Sequence, residues 1–242
     1  MTKRLDQYLA HMGLGSRSAL RETIRAGRVT VDGRTVTDEA RKVDGEAVAL
    51  DGAPVVYREY FYVMLHKPAG VVTATQDSRA ETVLDLLSPP HSLLGLTPAG
   101  RLDKDTTGLL ILTNDGGFVH RTLSPKGHAD KVYEASLARE VTGADVAAFG
   151  AGMLLAKDTP EEFRCLPAEL QPLPGRRARV ILREGKFHQV KRMFLAAGNE
   201  VLSLKRLAFA GLWLDESLRE GEYRDLTEDE MRIIDPFRSR NM

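Results

Sequence analysis

Residues 100–117 read Gly-Arg-Leu-Asp-Lys-Asp-Thr-Thr-Gly-Leu-Leu-Ile-Leu-Thr-Asn-Asp-Gly-Gly, and the rest of the chain is best understood outward from them. Leu109, Leu110, Ile111 and Leu112 form an apolar run of strand length, the pattern of a short buried strand. Asn114-Asp115-Gly116-Gly117 supplies turn chemistry and leads into a helix expected to start near Phe118. Just ahead of the strand, Arg101, Asp103 and Asp105 occupy a loop, where a rigid neighbouring element can position a catalytic group. Arg101 and Asp103 are two positions apart, so in extended backbone their side chains can face the same way. The same residues also suit a plain surface turn whose aspartates cap backbone amides.

Toward the N-terminus, Leu5, Tyr8, Leu9 and Met12 recur at i, i+3, i+4 and i+7, the stripe of a short amphipathic helix that Gly13 can end. Ser16 then suits an N-cap, Leu20 and Ile24 a second buried stripe, and Gly27 its stop. Arg17, Arg21, Arg25 and, by extrapolation, Arg28 fall on the adjacent face. Two β-branched runs around Asp32-Gly33 predict a hairpin. The segment to about Leu50 reads as one small unit, and the turn-rich Asp51-Gly52-Ala53-Pro54 as its boundary.

Further along, residues 60–65 predict a strand that closes in His66-Lys67-Pro68-Ala69-Gly70 and resumes over 71–75. Strands are expected at 132–137, 179–182 and 201–204. A helix is expected over 187–197, with Val190, Met193, Phe194 and Ala197 inward and Gly198 as its stop. Many strands and few helices, without regular alternation, indicate an α+β fold.

Composition narrows the function classes. The 242 residues are 43% hydrophobic and 28% charged, the balance of a globular chain of one large or two unequal domains. Cys165 is the single cysteine, which excludes internal disulfides and thiolate-pair zinc sites and fits a reducing cytoplasm. The charged start Met1-Thr2-Lys3-Arg4 does not begin a secretory signal, and no run nears the about 18 apolar residues of a membrane span. Lys plus Arg and Asp plus Glu are 34 each, yet the charge is unevenly placed. Between Arg176 and Arg206 nine basic residues face only Glu184 and Glu200, and the arginines at 17, 21, 25 and 28 form a second cluster. Solvated helix faces explain any one cluster; two in a neutral chain favour a local polyanion-binding surface.

Phosphate-loop and dinucleotide fingerprints are absent, no Gly-x-Ser-x-Gly elbow occurs, and the six histidines lack metal-ligand spacing. Asp103-Lys104-Asp105-Thr106-Thr107 fits the Asp-x-Asp-x-Thr pattern of haloacid dehalogenase phosphatases, but no apolar strand precedes it. The longer stretch from Ala99 to Gly116 resembles the signature of the ribosomal small-subunit (RsuA-type) pseudouridine synthases. Further pieces agree in order: His66 to Gly70, Ser124-Pro125-Lys126 through Lys131-Val132-Tyr133-Glu134, Glu184 to Met193, and Val201 to Arg206. The first fifty residues are similar to an S4 RNA-binding module.

The resemblance implies a small S4-like domain at 1–58 and a synthase domain at 59–236, the latter on a mixed, mostly antiparallel sheet flanked by helices. It implies conversion of a specific uridine of ribosomal RNA to pseudouridine, in 16S rather than 23S rRNA, with no cofactor and no metal. Asp103 is then the catalytic carboxylate. Tyr133 would stack on the target base and Leu204 pack beside it. Lys191, where many relatives carry Arg, would pair with Asp103, with Arg192 in reserve. Arg101 would contact phosphate or hold the extruded nucleotide, and Arg17, Arg21, Arg25 and Arg28 would grip the RNA backbone. The expected partner is ribosomal RNA or a small-subunit assembly intermediate, bound by a cytoplasmic monomer. The competing readings are a non-catalytic S4-type RNA-binding or ribosome-assembly protein, a 23S rRNA pseudouridine synthase, and a metal-dependent phosphatase.

Overall fold

The computed structural model describes residues 2–123, 129–155 and 162–235. They divide into two compact units. The first holds the described residues up to Phe61 with Leu84–Thr97 and Thr113–Asp115; the second holds Tyr62–Val83, Pro98–Leu112 and the described residues from Gly116 onward.

In the first unit, helices α1 (Leu5–His11) and α2 (Arg17–Arg25) pack over a four-stranded antiparallel sheet. Leu5, Leu9, Leu20, Ile24, Val29 and Val31 lie in its core, so the periodic apolar residues are the buried ones. Gly13 turns the chain at φ +72°, and a Cβ there would come 2.8 Å from the Pro90 carbonyl oxygen. Ser16 caps α2 by accepting from the Ala19 amide at 3.3 Å. Asp32 and Gly33 both take positive φ, as a two-residue hairpin turn requires.

At the centre of this unit's charge sits Asp6, whose side chain is fully buried while Arg4, Arg17 and Arg21 each reach it at 3.1 Å. Burial alone would raise its pKa; hydrogen bonds from Arg4, Arg17 and Arg21 outweigh that and hold it at about 2. Arg25 pairs instead with Glu39 at 2.6 Å, and Arg28 with Asp51 at 2.6 Å. The expectation that Arg28 extends the helical stripe is corrected, because α2 ends at Arg25 and the chain turns at Gly27.

The second unit is built on a mixed, mostly antiparallel sheet. Its order is Glu169–Leu173, Arg177–Leu182, Lys131–Leu137, Val201–Phe209, Thr107–Thr113, Tyr62–Lys67 and Tyr223–Asp225. Val201–Phe209 and Thr107–Thr113 run parallel. Helices α3 (Gly116–Leu123), α4 (Gly143–Ala151), α5 (Gln189–Ala196) and α6 (Glu228–Ile234) accompany it. Phe149 of α4 meets Phe194 of α5 with ring centroids 4.9 Å apart, while Val190, Met193 and Phe194 are buried as the spacing predicts.

Three expectations change. Residues 71–75 form no strand; only an isolated bridge joins Val72 to Thr82, and the Thr73 hydroxyl is engaged by the backbone of Leu102. Ala197 caps α5 rather than lying inside it. The strand expected at 201–204 continues to Phe209 along its pairing with Lys131–Leu137; buried Arg206, at an inward position that calls for an apolar residue, concealed the extension.

The stability that Asp6 contributes is complete above about pH 4 and is lost as pH falls toward about 2, since its folded pKa lies below the unfolded one. Asp6→Asn is expected to lower the unfolding midpoint at neutral pH and flatten its acid limb, followed by circular dichroism. An unchanged acid limb would refute this account.

Candidate active site

The loop bearing Asp103 is fixed from beneath by Lys67, the last residue of Tyr62–Lys67. Its side chain is fully buried, and its ammonium donates to the carbonyls of Pro68 (2.9 Å), Lys104 (3.2 Å) and Thr106 (2.9 Å). Three donors thus meet three acceptors, which is how a buried lysine tolerates its site. Burial pulls its pKa down to about 8, against the charges of Asp105 and Asp103, which act the other way.

The same segment holds the loop at other points. Gly70 N–H donates to Lys104 O at 2.8 Å, and Thr73 Oγ1 donates to Leu102 O at 2.8 Å while accepting from Leu102 N–H at 3.2 Å. Thr106 N–H closes a turn onto Asp103 O at 3.1 Å. Both flanks of Asp103 are therefore tied down, leaving its carboxylate 27% exposed.

Above the loop stands α5. Lys191 Nζ lies 3.2 Å from Asp103 Oδ2 and 2.6 Å from Asp105 Oδ1, so one ammonium serves two carboxylates. Partial burial pulls the Lys191 pKa down, but hydrogen bonds to Asp105 and Asp103 outweigh it and raise it. Asp105 is held below its usual carboxylate range, first by the hydrogen bond from Lys191. His188, just ahead of α5 in left-handed conformation at φ +50°, brings Nε2 to 3.6 Å from Asp103 Oδ1. Buried Gln189 fixes this turn: its Oε1 accepts from Lys186 N–H at 2.9 Å and its Nε2 donates to Glu184 Oε1 at 2.6 Å.

The adjoining sheet supplies a row of residues in register: Gly108 opposite Arg206, Arg206 opposite Tyr133, and Tyr133 opposite Val180. At φ +106°, Gly108 lies so close to its neighbour that a Cβ would fall 2.2 Å from Arg206 O, so only glycine permits this approach. Arg206 is 1% exposed, donates from Nε to Leu109 O at 2.8 Å and stacks 5.1 Å from the Phe209 ring centroid. It is a structural cation of the sheet. Buried Leu204 lies opposite Ala135, on the same face as Tyr133.

The predicted residues thus divide. Asp103 and Lys191 are in contact, and Tyr133 and Leu204 share one sheet face. Arg101 is exposed, with no ion pair among the described residues. Arg192 lies with its guanidinium carbon 5.1 Å from the Phe163 ring centroid. Arg17, Arg21, Arg25 and Arg28 belong to the other unit and to the carboxylates described above. Of the stretch from Ser124 to Glu134, residues 124–128 lie outside the described residues. Sequence reasoning missed His188 and Lys67 as neighbours of the loop, although both stand within quoted motifs.

Lys67→Met removes the donor shared by three carbonyls; only the bond to Thr106 O is fully buried and Lys104 O keeps the Gly70 amide, so the cost is set by about one stranded acceptor at ~1–3 kcal/mol. The variant is expected to lose roughly 2 kcal/mol in urea unfolding and to exchange the Gly70 amide hydrogen faster. Unchanged protection at Gly70 would show that something else holds the loop.

The sequence pattern of RNA pseudouridylate synthases matches residues 61–196, and that of the S4 domain matches residues 3–48. The chain is 42% identical over 237 residues to an uncharacterized RNA pseudouridine synthase of Bacillus subtilis, covering 96% of this chain and 98% of that protein. It is 41% identical over 233 residues to ribosomal small subunit pseudouridine synthase A of Escherichia coli, covering 96% and 99%. A crystal structure of a pseudouridylate synthase superposes with TM-score 0.68 at 36% identity, covering 96% of this chain and 99% of that one. With an S4 domain ahead of a synthase domain and full-length kinship to the small-subunit enzymes, the chain belongs to the RNA pseudouridylate synthase family, in its RsuA-type branch.

Proposed function

We propose that the protein isomerises a uridine of 16S ribosomal RNA to pseudouridine, with Asp103 as the reacting carboxylate. The observation that carries this reading is the Asp103 side chain, part-exposed in a loop tied at both flanks and 3.2 Å from the Lys191 ammonium. The 16S target is supported by relatives named as small-subunit synthases at 41–42% identity over 96% of the chain. Family membership sets aside the non-catalytic and phosphatase readings.

The reaction breaks the N1–C1′ bond, turns the base and forms a C5–C1′ bond; one proton leaves C5 and one arrives at N1. Atoms balance without an added reactant. Asp103 acts at the ribose, by engaging C1′ or by taking a sugar proton. Lys191 orients it by charge, as a compact ammonium shared with Asp105 rather than a planar fork. Tyr133 stacks on the base, Leu204 packs beside it, and exposed Arg101 receives phosphate of the extruded nucleotide. Arg192, placed at the Phe163 ring, stays in reserve for the pairing with Asp103.

Residues 1–58 would hold RNA and residues 59–236 do the chemistry. Arg25 and Arg28 sit in exposed ion pairs with Glu39 and Asp51, pairs of a kind worth only ~0–1 kcal/mol, so phosphate replaces the partners at little cost. Arg17 and Arg21 also steady buried Asp6 and contribute while doing so.

Tritium release from 16S and 23S rRNA labelled at uridine C5 tests the assignment. Asp103→Asn is expected to abolish release while retaining RNA binding; Lys191→Ala should cut the rate steeply and Lys191→Arg restore most of it. Release by Asp103→Asn at the parent rate defeats the catalytic assignment, and release from 23S rRNA alone defeats the target. Replacing Arg25 and Arg28 together by Gln should reduce the slope of log affinity against log salt by up to about two. An unaltered slope removes them from the RNA contact.

A further inference from the structure

Phe187 and His188 stand immediately ahead of α5, and their rings stack with centroids 3.8 Å apart and planes 18° from parallel. Phe187 is 72% exposed, although the next ring in the stack brings Nε2 to 3.6 Å from Asp103 Oδ1. An exposed phenylalanine alone needs no explanation. This one is held: His188 is fixed in left-handed backbone, and buried Gln189 ties the turn to Lys186 and Glu184. Cations bracket it in sequence, Lys186 before and Lys191 after. An exposed aromatic face held one ring away from the Asp103 carboxylate has the chemistry of a base-stacking platform.

We propose that the Phe187–His188 pair seats the base of the nucleotide next to the target uridine in the RNA chain. The inference rests on the uridine-isomerase reading and deepens it, by making a neighbouring base part of what is bound. Stacking tolerates any base and favours the larger purine rings. Opening of the RNA stack at the target leaves one face of this neighbour bare, and Phe187 covers it.

The test uses the full chain and rRNA fragments spanning the mapped target, with either neighbour of the uridine intact or replaced by an abasic ribose. For the parent protein, loss of one neighbouring base is expected to lower kcat/KM for tritium release about tenfold. Phe187→Ala should lose a similar factor on the intact fragment and nothing more on the abasic one, whereas Phe187→Trp retains activity. Penalties that multiply, or Phe187→Ala at the parent rate, overturn the seat while leaving the isomerase reading intact. No release by the parent protein from any rRNA overturns both. Because Phe187 is largely exposed, its replacement leaves the core untouched.

Discussion

A lysine ammonium enclosed by three carbonyl oxygens is the constraint on which the Asp103 loop depends. Water offers an ammonium three acceptors, and burial is tolerable only where the protein offers as many. At Lys67 those acceptors are the carbonyls of Pro68, Lys104 and Thr106, two of them flanking the turn that begins at Asp103. The loop thus takes its shape from satisfying the cation, and the cation is kept charged in part by the carboxylates of Asp105 and Asp103. Lys191 approaches the same carboxylates from α5. The two lysines do different work: one is sealed in and sets backbone, the other is part-exposed and meets the Asp103 side chain.

The cationic stretch from Arg176 to Arg206 looks uniform in the sequence and is not uniform in space. Arg177 meets Glu134 at 3.3 Å, Arg183 meets Asp130 at 3.2 Å, Arg179 lies 6.0 Å from the Trp213 ring centroid, and Arg206 belongs to the sheet interior. Around α5 stand Lys191, engaged with Asp103 and Asp105, together with Lys186 and Arg192. Lys186 and Arg192 are stationed about the Phe163 ring, at 6.0 and 5.1 Å from its centroid. Attraction for a polyanion depends on local potential, so a neutral chain can present such a patch without carrying excess charge overall.

Features set by neighbouring residues were readable from the chain: the Gly13 and Gly27 stops, the Ser16 cap, the Asp32-Gly33 hairpin and the Val190, Met193, Phe194 stripe. Features set by distant residues were not. Nothing near Lys67 tells that it is buried, because its acceptors include carbonyls 37 and 39 positions away. Arg206 hid the last half of its strand, since a charged residue in an alternating pattern reads as an edge or a loop. Helix α4 went unread: it is rich in Gly and Ala and shows only a faint stripe, and its Thr142–Asp145 capping box comes from the structure. The Asp103 loop stood out through its length and its resemblance, not through any spacing rule that separates a catalytic aspartate from a capping one.

The parallel pairing of Thr107–Thr113 with Val201–Phe209 has a consequence for how the molecule comes into being. Parallel neighbours cannot be joined by a tight turn, and here Arg206 reaches Leu109 across 97 positions while Lys191 reaches Asp105 across 86. Contacts of such separation close large loops whose entropy must be met before the contacts reward it, so they form late. No local segment brings Asp103 and Lys191 together, and the strand that pairs in parallel with Thr107–Thr113 comes about a hundred positions later in the chain. The Asp103 loop therefore gains its neighbouring strand only once most of the polypeptide is present.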